Sequence, residues 1–136
     1  MNTMSTALVN DLSNIVRSAP AIFASRTCRE ALRVMFQHPE SKCIVVCNAT
    51  NEPLGLLMCD RFFLKATGRS GVDLFYKEPA MKLMNKTPLI FDISTPLESV
   101  LATAMSRPDP MKNDCVIITR KGKFAGVVYI SDLKRS

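Results

Sequence analysis

The stretch PAIFASRTCREALRVMF at residues 20–36 has a counterpart in PLIFDISTPLESVLATAM at residues 88–105. Both begin with a proline, two apolar residues and a phenylalanine, and both continue through a threonine into an amphipathic helical pattern. Pro20 corresponds to Pro88, and the same spacing relates Thr27 to Thr95. The chain therefore contains an internal repeat, which predicts two structurally similar halves.

The beginning of each half is typical of a short strand followed by a capped helix. We expect the strands at Ile22-Phe23 and at Ile90-Phe91. Thr27 and Thr95 have the chemistry of helix N-caps, and a glutamate follows each of them three residues later, as in a capping box. Apolar residues then recur at helical spacing, and a proline follows each predicted helix.

The rest of each half predicts two more strands and a second helix. The apolar runs are CIVVC and LGLLM in the first half, and CVIIT and FAGVVY in the second. Runs that are almost wholly apolar are typical of strands covered on both faces. The closing helices are DRFFLKAT (60–67) and SDLKR (131–135). Each half is therefore predicted to be β-α-β-β-α, which gives an α/β (α+β) fold class.

The size of the halves predicts that they pack against each other. A half of about 50–60 residues buries too little surface to be stable by itself, so we expect the two repeats to pack sheet against sheet with pseudo-twofold symmetry. We assign residues 1–14 to an N-terminal helical extension and 15–67 to the first repeat. A linker (68–84) and the second repeat (85–136) follow. The segment STALVNDLSNIV is compatible with an amphipathic helix bearing Leu8, Leu12, Ile15 and Val16 on one side.

The composition excludes several classes of protein. The chain has 136 residues, of which 47% are hydrophobic and 22% charged, as in globular domains. No apolar run approaches the roughly 20 residues of a membrane span, and the N-terminus lacks the features of a secretory signal. The net charge of +6 is scattered, with its densest spot in the RKGK stretch (120–123), which is typical of a hairpin turn. We therefore do not expect nucleic-acid binding.

Cysteine and histidine usage argues against metal sites and catalysis. The five cysteines form no C-x-x-C pair and favour buried free thiols in a cytoplasmic protein; they are Cys28, Cys43, Cys47, Cys59 and Cys115. The single histidine, His38, lies beside Pro39 in a predicted loop, where a metal ligand is not expected. The chain contains none of the nucleophile-elbow, phosphate-loop or zinc-protease motifs. We therefore predict no catalytic residues, no metal site and no enzymatic activity.

The repeated features together resemble a known regulatory family. The paired openings at Pro20 and Pro88 and the glycine-containing strands at Gly55 and Gly126 are similar to those of a tandem pair of cystathionine-β-synthase (CBS) domains, called a Bateman module. The resemblance covers about residues 15–136. In that family a Ser or Thr stands three residues after the glycine and an Asp stands six residues after it. Asp132 stands six residues after Gly126.

The resemblance implies a sensor. Such domain pairs bind adenosine compounds (AMP, ADP, ATP or S-adenosylmethionine) in the clefts between repeats, need no cofactor and commonly form homodimers. The expected function is a regulatory module that binds an adenine nucleotide or related adenosyl ligand and signals to a partner protein or domain, whose identity the sequence does not reveal. The alternative is a ligand-free dimerisation or protein-interaction module with degenerate clefts.

The second repeat carries most of the residues that this resemblance implies for ligand binding. Asp132 would accept hydrogen bonds from ribose hydroxyls, or it is a cap or first-turn acid of the last helix, with Ser131 as another candidate cap. Tyr129 replaces the family's Ser or Thr, and it either stacks on a base or fills the cleft. Thr87 would contact a base through its backbone. The apolar wall of the cleft, or simply the core, would contain Leu89 and Ile117.

The first repeat departs from the family motif. Met58 and Arg61 stand three and six residues after Gly55. A guanidinium cannot accept hydrogen bonds from ribose, although it can bind phosphate. The first cleft therefore either binds nothing or binds an anion through Arg61, Lys65 or Arg69, and the alternative for these three residues is a solvated helix face and linker.

Overall fold

The computed structural model describes residues 12–68 and 76–135. The first repeat contains β1 (Ala21–Phe23), α1 (Cys28–Gln37), β2 (Cys43–Cys47), β3 (Pro53–Met58) and α2 (Cys59–Gly68). The second repeat contains β4 (Ile90–Asp92), α3 (Leu97–Met105), β5 (Val116–Arg120), β6 (Lys123–Val128) and α4 (Ile130–Arg135). Short 3-10 helices lie at Leu12–Asn14, Ala80–Lys82 and Asp109–Met111. The predicted β-α-β-β-α order is confirmed in both halves.

The chain divides into two compact units, one formed by residues 19–88 and the other by residues 12–18 with 89–135. Each unit contains a three-stranded sheet, with orders β1-β2-β3 and β4-β5-β6. The first strand of each sheet runs parallel to the middle strand, and the third runs antiparallel to it. The predicted domain boundaries, which place the N-terminal extension and the linker outside the repeats, stay predictions.

Each unit has its own hydrophobic core. In the first unit, α1 and α2 contribute Leu32 and Phe62 to a buried cluster with residues of the sheet. In the second unit, Leu12 from the N-terminal segment is fully buried among Val100, Val128 and other core residues. The segment before the first repeat is therefore part of the core that the second repeat builds.

A short strap crosses the third strand of each sheet. Arg17 and Val127 exchange two backbone hydrogen bonds of 2.7 and 2.9 Å, and Asn85 and Leu56 exchange two of 2.8 and 3.1 Å. A Cβ on Gly126 would lie 2.7 Å from the carbonyl oxygen of Arg17. Gly55 and Gly126 thus leave room for the straps, because any side chain there would collide with the crossing backbone.

The register of the repeat differs from the sequence-based prediction. The Val45 amide donates to the carbonyl of Pro20, and the Ile117 amide donates to the carbonyl of Leu89. The structural counterpart of Pro20 is therefore Leu89 and not Pro88, and the first residues of α1 and α3 have the same spacing as Pro20 and Leu89. The spacing of Pro20 and Pro88 relates the two straps, but it does not relate the strands or the helices. The reason is that the second repeat has one extra residue between its strap and its first strand.

This shift explains why one predicted capping box is present and the other is not. Thr27 caps α1: its side chain accepts from the Glu30 amide, and the Glu30 side chain accepts from the Thr27 amide. The structural counterpart of Thr27 is Pro96, which is the N-cap of α3 and makes no side-chain capping bond. The prediction that Thr95 caps α3 was wrong, because matching Thr27 with Thr95 aligned the repeats one residue out of register.

Other local predictions can be compared directly. The RKGK stretch is a two-residue hairpin turn, with φ of 52° at Lys121 and 80° at Gly122. All five cysteines are buried and none forms a disulfide, as predicted. Of the predicted N-terminal helix, the described part forms only the 3-10 turn at Leu12–Asn14, and the portion around Leu8 lies outside the described residues.

Among the described residues, no helix is long and apolar enough to span a bilayer.

Candidate functional site around Asp132

The site is built on the turn that connects β6 to α4. Asp132 is the third residue of α4, and its amide donates to the carbonyl of Tyr129 at 3.0 Å. Both residues are 7% exposed. A charged side chain this well covered needs ionic or hydrogen-bonding partners to remain ionised.

Two arginines bind the Asp132 carboxylate. Arg17 donates from Nε to Oδ2 at 2.8 Å and from Nη2 to Oδ1 at 3.3 Å. Arg135, one helical turn along α4, donates from Nη2 to Oδ1 at 2.6 Å. The pKa of Asp132 lies below its ordinary value, chiefly because Arg17 donates hydrogen bonds to the ionised form. The cluster therefore contains one carboxylate and two guanidiniums, which leaves a net positive charge.

Arg17 also covers the aromatic ring of Tyr129. Its guanidinium carbon lies 4.6 Å from the ring centroid, a distance suited to a cation–π contact. The strap positions Arg17, because its backbone pairs with Val127 immediately before the turn to α4. Half of the Arg17 side chain is exposed, so this contact lies at the surface end of the cluster.

The other predicted site residues fall into two groups. Ser131, Leu89 and Ile117 belong to the same unit as Asp132. Ser131 is exposed and lies inside α4, so the prediction that it could cap this helix was wrong. Leu89 and Ile117 contact each other through a 2.9 Å backbone hydrogen bond, and Ile117 is fully buried.

The remaining predicted site residues belong to the unit formed by residues 19–88. Thr87 is exposed, and both its amide and its hydroxyl donate to the side-chain oxygen of Asn85, at 3.0 and 3.2 Å. Arg61 and Lys65 are exposed on α2, and Arg69 lies outside the described residues. The structure thus brings Asp132 and Tyr129 together directly, whereas the ligand role of every predicted residue stays a prediction.

The sequence analysis missed Arg17, which contacts both Asp132 and Tyr129. Arg17 and Asn85 occupy equivalent places in the two straps and have the same spacing as Pro20 and Pro88, but an arginine and an asparagine do not reveal a repeat. Although the predicted repeats (15–67 and 85–136) include both residues, the aligned stretches began at Pro20 and Pro88 and gave neither residue a role. In the described part of the chain, no three His, Cys, Asp or Glu side chains form a group that could hold a metal.

Sequence comparison identifies half of this architecture. Residues 80–136 match the family model of the CBS domain. Among curated proteins, no sequence matches this chain. The match covers the second repeat, which contains Gly126, Tyr129 and Asp132.

Solved structures resemble the whole chain. The CBS domains of a transcriptional regulator from Streptococcus pneumoniae are 15% identical, with a TM-score of 0.68 over 93% of this chain and 98% of that one. CBSX2 in complex with AMP is 15% identical, with a TM-score of 0.69 over 93% of this chain and 94% of that one.

The cytosolic domain of the Mg2+ channel MgtE in complex with ATP is 16% identical, with a TM-score of 0.72 over 93% of this chain. The matched region covers 48% of that domain, so this chain spans about half of its length. At such identities the structural likeness establishes the fold. Residues 80–136 therefore match the CBS domain family, and the chain as a whole has the fold of a tandem CBS-domain pair.

Proposed function

We propose that the chain is a regulatory module that binds an adenine nucleotide at the Asp132 cluster and signals the binding to a partner protein or domain. The observation that carries this proposal is a buried, ionised carboxylate at the start of α4, six residues after Gly126. A carboxylate in that state can accept hydrogen bonds from the two hydroxyls of a ribose. Two of the similar structures contain AMP or ATP, which supports the same ligand class.

Binding requires an exchange of partners at Asp132. The ribose hydroxyls would replace Arg17, which holds both carboxylate oxygens in the described structure. The released guanidinium would then be available to a phosphate, for which arginine is well suited. The net positive charge of the cluster favours AMP, ADP or ATP over the cationic S-adenosylmethionine. The exchange would also disturb the strap on which Arg17 lies, which offers a route by which binding changes the protein.

Isothermal titration calorimetry of the full chain with AMP, ATP and S-adenosylmethionine tests the proposal. We expect binding of AMP or ATP, weakened about tenfold or more by Asp132→Asn because charged hydrogen bonds to the ribose are lost. Asp109→Asn is the matched control, because Asp109 is a surface carboxylate of the same unit with 91% of its side chain exposed. Absence of binding for every ligand, or an equal loss in both variants, would contradict the proposal.

We also propose that the module is a homodimer that uses the helices of the first repeat. Phe36 on α1 and Phe63 on α2 form an edge-to-face pair with centroids 6.2 Å apart. Phe36 is 65% exposed, Phe63 41% and the neighbouring Leu64 68%. Exposed apolar patches of this kind mark interaction surfaces. Counted from the first residues of α2 and α4, the counterparts of Phe63 and Leu64 are Lys134 and Arg135.

Light scattering after size exclusion tests the dimer. Leu64→Lys is expected to give a monomer, because it places a positive charge in the apolar patch. The second repeat has such a charge at the equivalent position, Arg135. Ala102→Lys, on an exposed position of α3, is the control and should leave the dimer intact. A monomeric wild type, or an unchanged dimer in Leu64→Lys, would contradict this surface. The cytoplasm is the compartment we expect, because none of the five cysteines forms a disulfide.

The alternative function is a ligand-free interaction module. The observation that favours it is that Arg17 and Arg135 already bind Asp132, while Arg17 covers Tyr129. In that case the cluster stabilises α4 and no nucleotide replaces Arg17. Thermal unfolding that is unchanged by every adenosine compound, combined with a stable dimer, would support this alternative over the nucleotide sensor.

A further inference from the structure

A groove of about 450 Å³ lies on the first unit, between β1 and the exposed side of α1. Its lining includes Phe23, Arg26, Glu30, Arg33, Val34 and Cys47. Phe23 and Cys47 also line a second cavity of about 440 Å³ at the loop that follows β1. Volumes of this size are typical of small-molecule sites. All of these residues belong to one compact unit, and the Asp132 cluster belongs to the other.

The groove has a surplus positive charge. Arg26 Nη1 donates to Glu30 at 2.8 Å, so these two charges offset each other. The pKa of Glu30 is lowered, mainly by the hydrogen bond from the Thr27 amide, which keeps the carboxylate ionised. Arg33 makes no hydrogen bond or ion pair with any residue that the structure describes. Its guanidinium is therefore available to an anion in the groove.

The groove also offers an aromatic surface. Phe23 is the last residue of β1 and is 50% exposed, although a phenylalanine gains most from burial. Val34 and Cys47 extend the apolar part of the lining. Since Phe23 borders both cavities, its ring is accessible to a flat molecule beside it. An aromatic ring and a guanidinium that line the same groove suit a planar ligand that carries one negative charge.

The second repeat shows that the fold does not require these residues. When the repeats are aligned at the first residues of α1 and α3, the counterparts of Phe23, Arg26 and Arg33 are Asp92, Thr95 and Ala102. None of these three is aromatic or positively charged. The same strand and helix therefore form without an aromatic or positively charged side chain at these positions, so the fold leaves these three residues available for a binding role.

We propose that this groove binds a small planar molecule with a carboxylate or phosphate group, at a site separate from the Asp132 cluster. Arg33 binds the anionic group, Phe23 stacks on the planar body, and the Arg26–Glu30 pair flanks the anion. The binding site does not depend on the proposed nucleotide function, because none of its residues belongs to the unit that contains Asp132.

NMR titration of the full-length 15N-labelled chain tests this site. The probes are benzoate and phenyl phosphate, with benzyl alcohol as the uncharged probe and benzylamine as the cationic one. We expect the two anions to shift the amide signals of Phe23, Val34 and Cys47 with millimolar affinity, which is typical of ligands of this size. The relative affinities of benzoate and phenyl phosphate decide between a carboxylate and a phosphate ligand.

Three variants make the test specific. Arg33→Gln should weaken binding of the anions about tenfold, because a charge-assisted hydrogen bond is lost. Phe23→Leu, which keeps an apolar side chain, should weaken the binding of the aromatic probes while leaving the fold unchanged. Arg29→Gln is the matched control, because Arg29 is an exposed arginine of α1 that does not line the groove.

The following outcomes would overturn the proposal. Benzyl alcohol could bind as well as benzoate, Arg29→Gln could weaken binding as much as Arg33→Gln, or no probe could shift the groove signals. Asp132→Asn should leave the shifts unchanged, which separates this site from the proposed nucleotide site. A chain that binds no nucleotide and still binds benzoate at Arg33 would support this inference alone.

Discussion

Arg17 and Asp132, which are far apart in the sequence, form a two-point ion pair, with Nε 2.8 Å from Oδ2. The pair joins the segment before β1 to the last helix of the second repeat. Asp132 is also the residue that we propose to hold the ribose, so the proposal gives one carboxylate both a structural and a ligand-binding role.

The stability of the protein should fall in acid partly through Asp132. The pKa of this carboxyl is lowered in the folded state by Arg17 and Arg135 from an ordinary value of 3.8. A lowered pKa stabilises the fold at every pH above that value, and the contribution is lost as the pH falls through the folded-state pKa. Urea unfolding between neutral pH and pH 3 should therefore show a smaller loss of stability for Asp132→Asn than for the wild type. Identical pH profiles would contradict the ion pair.

Leu12→Ala should destabilise the protein by about 2–5 kcal/mol, because it leaves a cavity in a fully buried site. The loss should appear in the second repeat, since Leu12 packs in the core formed with Val100, Val128 and Leu133. Hydrogen exchange should show faster opening of β5 and β6 than in the wild type. Faster exchange in β2 and β3 alone would show that the N-terminal segment packs elsewhere.

Gly126→Ala should destabilise the protein by about 1–3 kcal/mol through overpacking. The new Cβ would lie 2.6 Å from Val16 Cγ1 and 2.7 Å from the Arg17 carbonyl oxygen. Adding Val16→Ala should recover only part of the loss, because the carbonyl remains in place. Chemical denaturation of the two single variants and the double variant measures this coupling. Full recovery would mean that the strap backbone does not constrain the glycine.

Thr27→Ala should cost about 1 kcal/mol, the usual loss when an N-cap side chain is removed. Thr95→Ala is the matched control and should cost much less, because Pro96 and not Thr95 is the N-cap of α3. Thermal unfolding of the two variants compares them directly. Equal losses would indicate that Thr27 and Thr95 are structural counterparts after all.

The sequence predicted the elements well because strand and helix patterns are local. The nearly continuous apolar runs predicted strands buried along their whole length, and β2 is buried at all five positions. The same reasoning failed at Thr95, where an identical residue type at a plausible spacing suggested a cap. A one-residue insertion between strap and strand is invisible to a composition-based comparison, and only the backbone hydrogen bonds of Pro20 and Leu89 reveal it.

The candidate site was only partly predictable for a related physical reason. Asp132 and Tyr129 are close in sequence, so their positions after Gly126 were enough to single them out. Arg17 lies beside them only because its strap, which precedes β1 in the sequence, pairs with Val127 of β6. Such a long-range pairing has no periodic pattern, and a lone arginine before an apolar stretch does not indicate its partner.

The strap also determines the order in which the chain can fold during synthesis. The unit formed by residues 19–88 is continuous, so it has all of its strands as soon as the strap residue Asn85 has left the ribosome. The other unit must keep Leu12 and Arg17 unpaired until Val127 and Asp132 have been made. Contacts this distant in sequence form late, because closing a long loop is entropically costly. Leu12 and Arg17 therefore wait for residues that are made much later, and during that interval an exposed Leu12 adds apolar surface that favours aggregation.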